Sequence, residues 1–312
     1  MSMEYTHKPV LLRECLEGLN IRPDGIYVDG TLGRAGHALE IAKRLTGGRL
    51  IAVDRDKAAL DAAPARLRDC LDKVVLVRGN FGDLKAILSD LGVDRVDGML
   101  FDLGVSSPQL DDASRGFSYL QDAPLDMRMD RSAALTAKDV VNGWSQDELK
   151  RILWQYGEER YAGPIAAAIV RERGQAPIGT TGRLAEIIRT AMPAKARREK
   201  QHPAKRSFQA IRIAVNDELG EVERLLAHAL DMLNPGGRMA VISFHSLEDR
   251  LIKTAYAEWA KGCTCPPDFP VCVCGKTPKA RPVGRRPITA AEEELADNPR
   301  ARSAKLRIAE KL

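Results

Sequence analysis

The amino-acid sequence predicts a doubly wound α/β protein whose parallel sheet is interrupted by an all-helical insertion. Two observations support this fold class. In the first hundred residues, short apolar runs alternate with helical patterns, which is typical of a parallel sheet covered by helices on both faces. From about Leu110 to Ser207 no run resembles a strand, and apolar residues recur at helical spacing.

Six apolar runs predict the strands of the sheet. They are Ile26 to Asp29, Leu50 to Asp54, Val74 to Val77, Val96 to Asp102, Met239 to Phe244 and Ala304 to Ala309. The sequence Asn234-Pro235-Gly236-Gly237 predicts a turn before the fifth run. We therefore expect residues 1–110 and 208–312 to build one sheet domain and residues 111–207 to form the helical insertion.

Amphipathic patterns predict the helices of the insertion. Ser145 and Glu148 have the spacing of a capping box, in which each residue bonds the backbone N–H of the other at the start of a helix. The apolar faces of three predicted helices follow, and they consist of Leu149, Ile152 and Leu153, then Ile165 and Ile169, then Leu184, Ile187 and Ile188.

Composition and charge narrow the class of protein. A chain of 312 residues with 44% hydrophobic and 29% charged residues is typical of globular domains and not of disordered or fibrous chains. No apolar run approaches the roughly 18 residues of a membrane span, and the first residues are too polar for a signal peptide. We therefore expect a cytoplasmic protein with no membrane partner. The net charge of +5 is compatible with a nucleic-acid partner without establishing one.

A glycine-rich turn follows the first predicted strand and has the sequence Asp29-Gly-Thr-Leu-Gly-Arg-Ala-Gly-His37. Glycines let the backbone approach a ligand closely, and Asp54 at the end of the second strand can accept hydrogen bonds from both ribose hydroxyls of a nucleoside. The glycine spacing differs from that of dinucleotide enzymes, and an acid before the glycines suits a cation better than a pyrophosphate. The turn therefore favours S-adenosylmethionine over NAD, and a tight turn without a ligand is the alternative.

A second polar segment, Asp102-Leu-Gly-Val-Ser-Ser-Pro-Gln-Leu-Asp111, leaves the fourth predicted strand. Methyl transfer depends mainly on in-line placement of the nucleophile, and an exocyclic amine is activated by acceptors around its N–H groups. We therefore predict that Asp102, Ser106 and Ser107 are catalytic and hold such an amine. A polar turn that has no catalytic role is the alternative.

Four of the six cysteines lie close together near the end of the chain: Cys263, Cys265, Cys272 and Cys274. In a chain without a secretory signal, this clustering indicates metal or redox chemistry before a disulfide framework. Four thiolates suit one tetrahedral zinc ion, although Cys-x-x-Cys is a commoner spacing than the Cys-x-Cys found here. A structural zinc site and four unbound thiols stay open as alternatives.

Two basic stretches are candidates for binding phosphate groups of a nucleic acid. The first comprises Lys195, Arg197, Arg198, Lys200, Lys205 and Arg206, and the second comprises Lys276, Lys279, Arg281, Arg285 and Arg286. A solvated surface without a ligand is the alternative for both stretches.

The glycine-rich turn and the serine-containing segment closely resemble those of the bacterial ribosomal RNA small subunit methyltransferase H family, also called MraW. The resemblance continues along nearly the whole chain, in segments His7–Leu11, Arg115–Ser118, Pro124–Asp130, Tyr156–Arg160, Ser243–Arg250 and Asn298–Ser303. It implies a class I (Rossmann-like) S-adenosylmethionine-dependent methyltransferase domain with a helical insertion. It also implies N4-methylation of a cytidine in the decoding centre of 16S ribosomal RNA. We expect this RNA to be met in the assembled small subunit, with free RNA as the open alternative, and we expect no DNA partner.

By the same resemblance, the cofactor contacts fall on Ala35, Gly36, His37, Asp54, Phe81, Asp102 and Gln109. Ala35 stands where the family often has glycine, and because it still supplies a backbone N–H we expect cofactor binding to survive. His245, after the fifth predicted strand, either contacts the target nucleotide or caps the next helix. Alternatives for the whole protein are a methyltransferase acting on another RNA site or on a protein, and a ribosome-assembly factor that binds the cofactor without catalysis.

Overall fold

A computed structural model describes residues 9–199, 201–266 and 271–312 of the chain. His7 and Lys8 of the first matching segment and Lys200 of the first basic stretch therefore lie outside the described residues. The structure divides into two compact units, one extending to Gly104 and resuming at Leu219, the other covering Val105–Glu218. The helical unit is thus wider at both ends than residues 111–207. Whether it folds as an independent domain stays a prediction.

Seven strands form one mixed sheet in the described part of the chain. They are β1 Ile26–Asp29, β2 Arg49–Asp54, β3 Val74–Arg78, β4 Val96–Asp102, β5 Leu233–Ser243, β6 Ala280–Pro282 and β7 Lys305–Lys311. The strand order is β3-β2-β1-β4-β5-β7-β6, so the direction of winding reverses between β1 and β4. Sheets of this kind bind ligands at such a reversal, outside the carboxyl ends of the strands.

The parallel order expected from the first hundred residues is confirmed for β1 to β4 and extends to β5, and β7 is the strand that departs from it. Strands β1 to β5 are parallel, whereas β7 is antiparallel to both β5 and β6. Strand β6 was not predicted, because it has only three residues and ends in Pro282. The predicted turn at residues 234–237 lies inside β5, where the register against β4 shifts between Val96 and Gly98. Gly236 has a φ of 76° there, which glycine adopts without strain.

Fourteen helices accompany the sheet across the described ranges. They are α1 Leu12–Leu19, α2 Gly36–Ala42, α3 Lys57–Leu67, α4 Leu84–Asp90, α5 Ser107–Asp111, α6 Ala137–Gly143, α7 Gln146–Gln155, α8 Ala162–Arg173, α9 Thr181–Ala191, α10 Ala194–Arg197, α11 Lys205–Asn216, α12 Glu218–Met232, α13 Ser246–Trp259 and α14 Glu292–Asp297. Short 3-10 turns cover Arg68–Lys73, Phe81–Asp83, Ala113–Arg115 and Pro299–Ser303. None of these described helices has the length and apolarity needed to cross a membrane.

Successive residues of the central strands are buried on opposite faces of the sheet. Leu100 packs in the core that contains α1, α2 and α3, whereas its neighbours Met99 and Phe101 pack in the core that contains α4, α12 and α13. Because both faces are covered, β2 is apolar from Leu50 to Val53 and β4 has no polar side chain from Gly98 to Phe101. This burial explains why these strands are recognisable as short apolar runs in the sequence.

Helix α1 packs on the antiparallel strand β7. A Cβ atom added to Gly18 of α1 would lie 2.3 Å from Cδ1 of Ile308 in β7, so a larger residue at this position would require the Ile308 side chain to move. Just before α1, the backbone N–H of Leu11 donates to Oε1 of Glu294 at 2.8 Å. An early helix and the final strand of the sheet unit therefore share one core.

The helical unit has its own apolar core, built mainly from α6, α7, α8, α9 and α11. All eight apolar residues predicted for its helix faces are buried there: Leu149, Ile152, Leu153, Ile165, Ile169, Leu184, Ile187 and Ile188. The capping box is also confirmed, because Oγ of Ser145 accepts from the N–H of Glu148 and Oε2 of Glu148 accepts from the N–H of Ser145.

Candidate functional site

Three aspartates end neighbouring strands at the same edge of the sheet. Asp29 is the last residue of β1, Asp54 of β2 and Asp102 of β4. Because these strands are parallel and adjacent, their carboxyl ends meet where the winding of the sheet reverses. Burial raises the pKa of both Asp29 and Asp102, and the negative charge of Asp54 adds to the rise at Asp29 as the charge of Asp29 adds to the rise at Asp102.

The glycine-rich turn after β1 lies directly against its neighbours. A Cβ atom added to Gly30 would lie 2.2 Å from the ring of Phe101, and the N–H of Gly30 donates to the carbonyl oxygen of Leu100 at 2.9 Å. A Cβ atom added to Gly36 would lie 2.4 Å from Cγ of Pro9. Glycine is therefore required at both positions for the backbone to follow this path.

The carboxyl group of Asp54 fastens the glycine-rich turn to the end of β2. Its Oδ2 accepts from the N–H of Gly33 at 2.8 Å, and its Oδ1 accepts from the N–H of Asp56 at 2.8 Å. Burial raises the pKa of Asp54, and these two N–H groups act against that rise. A carboxylate offers about four lone-pair positions, so Asp54 retains acceptor capacity for the hydroxyls of a ribose.

Ala35 has a left-handed backbone with a φ of 58°, directly before helix α2. Its N–H donates to the carbonyl oxygen of Leu32 at 2.7 Å. The N–H that the sequence assigns to the cofactor is therefore already engaged within the turn. Any cofactor contact at Ala35 has to involve its other atoms or a shared hydrogen bond.

Replacement of Ala35 by valine is expected to lower the free energy of unfolding by about 2–3 kcal/mol. A β-branched side chain strains the left-handed region, and the side chain of Ala35 is fully buried. The Ala35→Gly control should stay within about 1 kcal/mol of the unmodified protein, since relief of strain offsets the lost methyl group. Denaturant unfolding measures both variants, and an Ala35→Val protein of unchanged stability would contradict the left-handed turn.

Asp102 has a carboxyl oxygen for which the described residues provide no partner. Its Oδ1 is buried without a hydrogen bond, while 28% of the side-chain surface remains accessible. Its backbone N–H donates to Oγ1 of Thr31 at 2.6 Å, which fixes the end of β4 against the glycine-rich turn. Burial, with the charges of Asp29 and Glu248, raises the pKa of Asp102 to about 8.

His37 is a buried, neutral neighbour of Asp102. Its Nε2–H donates to the carbonyl oxygen of Val10 at 3.0 Å, which leaves Nδ1 unprotonated at 3.9 Å from Oδ2 of Asp102. Burial lowers the pKa of His37 to about 4, so the ring carries no charge at neutral pH. His37 therefore positions the segment around Val10 and does not neutralise Asp102.

Asp29 adds a third carboxyl group to this edge. Its Oδ1 accepts from the N–H of Thr31 at 3.1 Å, and burial followed by the charge of Asp54 raises its pKa to about 7. Within the described ranges, neither Asp29 nor Asp102 forms an ion pair with a lysine or arginine. The site therefore favours a positively charged ligand and disfavours a pyrophosphate.

Phe81 follows β3 and is largely buried. Its ring packs edge-on against Phe101, with 5.8 Å between the ring centroids and an angle of 62° between the planes. The side chain of Asn80 caps the short turn that Phe81 begins, accepting from the N–H of Gly82. Phe81 thus belongs to the apolar core beside the sheet edge, and its predicted contact with the cofactor stays a prediction.

His245 caps helix α13. Its Nδ1 accepts from the N–H of Glu248 at 3.4 Å, and its Nε2 lies 3.1 Å from Oε1 of the same glutamate. The other carboxylate oxygen of Glu248, Oε2, accepts from the N–H of Phe244 at 2.9 Å. The capping alternative for His245 is therefore confirmed, and contact with a target nucleotide stays a prediction.

The predicted catalytic serines belong to the helical unit. Ser106 is the N-cap of α5, Ser107 is its first residue, and Pro108 follows. The side chain of Gln109 is buried, and its Oε1 accepts from the backbone N–H of Ser106 at 2.9 Å. Gln109 therefore fixes the start of the serine segment, and its contact with the cofactor stays a prediction.

The four clustered cysteines lie close together and form no disulfide bonds. Their sulfur atoms all lie within 4.8 Å of one another. The N–H groups of Thr264 and Lys276 lower the pKa of the Cys274 thiol to about 5. The other two cysteines, Cys15 and Cys70, are buried.

The two basic stretches are only partly available to an external ligand. Arg197 donates to the carbonyl oxygens of Thr190 and Met192, and Arg206 donates to that of Glu158. In the second stretch, Lys276 pairs with Glu258 and Arg281 pairs with Glu310. Three exposed cations of the first stretch have no such partner among the described residues: Lys195, Arg198 and Lys205.

The sheet unit has the fold of a class I methyltransferase, the class whose members take a methyl group from S-adenosylmethionine. Its strand order places an antiparallel β7 between β5 and β6, and the glycine-rich turn and Asp54 stand where such a fold receives the nucleoside. The residues present fit this cofactor, because Asp54 suits the ribose, and Asp29 and Asp102 with its unpartnered Oδ1 suit the cationic methionine part.

The chain belongs to the MraW methylase family, whose family model matches residues 4–312. It is 56% identical over 312 residues to a "Ribosomal RNA small subunit methyltransferase H" of Brevibacillus brevis, covering 100% of this chain and 99% of that protein. A protein of the same name from Paenibacillus sp. is 59% identical over 315 residues, covering 99% and 100%. A third, from Symbiobacterium thermophilum, is 57% identical over 311 residues, covering 99% and 98%.

Two positioning residues were not singled out from the sequence. Thr31 holds the end of β4 through the N–H of Asp102, and Glu248 holds the end of β5 through the N–H of Phe244. The spacing His-x-x-Glu at positions 245–248 carries a signal for Glu248, since it resembles a capping box with histidine in place of serine. No local pattern identifies Thr31, because its partner lies 71 residues away.

Proposed function

We propose that this protein transfers the methyl group of S-adenosylmethionine to N4 of a cytidine in the decoding centre of 16S ribosomal RNA. The observation that carries the proposal is the unpartnered carboxyl oxygen of Asp102, at the end of β4 and four residues before Ser106. The names of the relatives support small-subunit ribosomal RNA as the substrate. A ribosomal substrate also supports a cytoplasmic location.

The chemistry requires activation of a weak nucleophile. The lone pair of a cytosine amine is delocalised into the ring, so acceptors for its N–H groups have to localise that pair and stabilise the positive charge that develops. S-adenosylmethionine supplies an electrophilic methyl group when bound. We assign Asp102, Ser106 and Ser107 to the amine, and the assignment rests on their order in one short segment after β4.

Asp102 is also suited to take the proton that the amine releases. A cation beside Asp102 keeps its carboxyl group ionised, because opposite charges favour the charged form. Once the acceptor nitrogen carries positive charge, the Asp102 carboxylate would accept the proton that this nitrogen releases. A pKa of about 8 in the cofactor-free protein is close to working pH, which is the range that general-base catalysis favours.

The target cytidine has to be unstacked before it can react, since its amine is inaccessible inside a helix. We propose the assembled small subunit as the substrate and free ribosomal RNA as a poorer one. The test is incubation of unmethylated small subunits with labelled S-adenosylmethionine, followed by nucleoside mass spectrometry. Label in N4-methylcytidine is the expected result, and a protein with Ser106→Ala and Ser107→Ala together is the loss-of-activity control.

The same experiment separates the alternatives. Label in a different nucleoside would point to another RNA site, and label in a ribosomal protein would point to a protein substrate. Binding of both S-adenosylmethionine and the subunit without any transfer would indicate an assembly factor. Each of these outcomes would overturn the proposed N4 specificity.

The exposed cations of the first basic stretch are expected to contribute to RNA binding. Replacing Lys195, Arg198 and Lys205 together by alanine should weaken subunit binding at least tenfold in moderate salt and make the salt dependence shallower, because fewer counterions are released. Replacing Lys57, Lys85 and Arg189 in the same way is a matched control, since these exposed cations pair with nearby acids. Equal binding by both triple variants would contradict the assignment.

A further inference from the structure

We propose that Cys263, Cys265, Cys272 and Cys274 bind one zinc ion in a closed tetrahedral site. The sulfur of Cys263 lies 3.3 Å from that of Cys272 and 3.6 Å from that of Cys274, and the sulfurs of Cys272 and Cys274 are 3.6 Å apart. Zinc with four sulfur ligands at about 2.3 Å places those sulfurs about 3.8 Å from one another. These three separations are close to those of a tetrathiolate site, and Sγ of Cys265 lies within 4.8 Å of the other three sulfurs.

Backbone N–H groups point at the sulfurs as they do around metal-bound thiolates. Cys265 donates to Sγ of Cys263, Thr264 donates to Sγ of Cys274, and Val273 donates to Sγ of Cys265, each at 3.4 Å. Such outer hydrogen bonds orient the ligands and stabilise their negative charge. Two of these N–H groups belong to the first Cys-x-Cys pair, residues 263–265, and one belongs to the second pair, residues 272–274. Each pair therefore contributes hydrogen bonds to the sulfurs that would bind the ion.

The surrounding segment has no apolar core that could hold four thiols together. None of the described residues in 261–266 and 271–279 is buried, and Val271 and Val273 keep 68% and 73% of their surface exposed. A short chain segment without a core needs a crosslink or a metal to keep a fixed geometry. The convergence of the sulfurs is therefore best explained by an ion at their centre.

The segment is tied to the sheet unit at its ends. The N–H of Lys279 donates to the carbonyl oxygen of Trp259 at 2.8 Å, and the ammonium of Lys276 lies 2.7 Å from Oε1 of Glu258. These contacts join the end of α13 to the residues just before β6. A zinc ion would add a further link by joining the first Cys-x-Cys pair, residues 263–265, to the second, residues 272–274.

The donor set selects zinc and gives the ion a structural task. Four thiolates in tetrahedral geometry suit zinc or an iron–sulfur centre, and a single closed four-thiolate site is typical of structural zinc. All four ligand positions are filled by the protein, so no position remains for a substrate or water. The inference is independent of the methyl transfer proposed above and needs no measurement of that activity.

The first test is the metal content of the full-length protein, purified without a metal-affinity step and under reducing conditions. We expect about one zinc ion per chain, and near-complete loss of zinc when Cys272 and Cys274 are both replaced by serine. The Cys70→Ala variant is the matched control, because Cys70 is distant in sequence from the cluster and already buried; it should retain the zinc. Circular dichroism of each variant verifies that the fold is retained.

The second test is reconstitution with cobalt. Chelator-treated protein should bind one Co²⁺ and develop the intense absorption of a tetrahedral thiolate complex, and the paired serine variant should not. Chelation should also speed tryptic cleavage at Lys261 and Lys276 at least tenfold. The proposal is overturned by zinc-free reduced protein that gives no cobalt spectrum, by disulfide bonds among the four cysteines, or by bound iron in place of zinc.

Discussion

An Asp102→Asn variant is expected to lose about 10²–10³-fold in kcat, while its fold and stability are retained. Asparagine is nearly isosteric with aspartate, so the hydrogen bond from the backbone N–H to Thr31 should persist. The variant lacks the negative charge that stabilises the cationic nitrogen and the base that takes its proton. Single-turnover methyl transfer to small subunits measures the effect, and the exposed Asp90→Asn variant is the control.

The pH dependence of cofactor binding distinguishes a role of the Asp102 charge at the site from a merely structural role of its side chain. In the cofactor-free protein the pKa values of Asp29 and Asp102 are raised to about 7 and about 8, so both carboxyl groups are largely protonated below pH 6. A cationic ligand binds their ionised forms, so affinity should rise with pH up to about 8 and binding should release protons. Calorimetry in buffers of different ionisation enthalpy counts these protons.

Asp102→Asn should reduce the number of protons released on binding. The cofactor affinity should then depend less steeply on pH, through Asp29 alone. Full methyl transfer by this variant would remove Asp102 from the reaction. A variant that transfers slowly but shows the proton release of the unmodified protein would also contradict the proposed protonation of Asp102.

An Asp54→Ala variant is expected to bind S-adenosylmethionine about 100-fold more weakly. Two hydrogen bonds from a ribose to a carboxylate contribute about 3 kcal/mol in total, which corresponds to that ratio of dissociation constants. The substitution also leaves the N–H groups of Gly33 and Asp56 without their acceptor, so the glycine-rich turn should loosen. Equilibrium dialysis or calorimetry measures the affinity directly.

The Asp54→Asn variant separates the loss of the ribose hydrogen bonds from the loosening of the glycine-rich turn. Asparagine can accept one of the two backbone hydrogen bonds and retains the volume of the side chain, so this variant should hold the turn better than Asp54→Ala and still bind the cofactor weakly. S-adenosylhomocysteine has the same ribose and should lose affinity by a similar factor. Unchanged affinity in Asp54→Ala would refute the ribose contact.

The sequence was sufficient to locate the central strands. Strand β4 was predicted at both ends, because each of its faces is buried and its residues form one short apolar run. Strand β6 has no such run, since its three residues include Arg281 and Pro282. The direction of β7 was also unpredictable, because alternating burial has the same period in parallel and antiparallel strands.

The sequence was sufficient to predict those residues of the site that lie at the ends of strands. Asp54 and Asp102 each end an apolar run, so their common edge follows from the parallel order. The contacts of His37 with Val10 and of Thr31 with Asp102 join residues far apart in the chain, and no local pattern encodes them. The engagement of the Ala35 N–H by Leu32 depends on a left-handed φ that sequence alone did not reveal at a non-glycine position.

The position of β7 between β5 and β6 affects how the protein matures during synthesis. Its partner β5 leaves the ribosome first, and 62 residues separate Ser243 from its partner Lys305. At about 5–20 residues per second, roughly 3–12 s pass between the synthesis of Ser243 in β5 and that of Lys305 in β7. During that interval β5 is an open edge, and the apolar face of α1 lacks Ile308. The nascent chain is therefore vulnerable to aggregation for a short period, until β7 emerges.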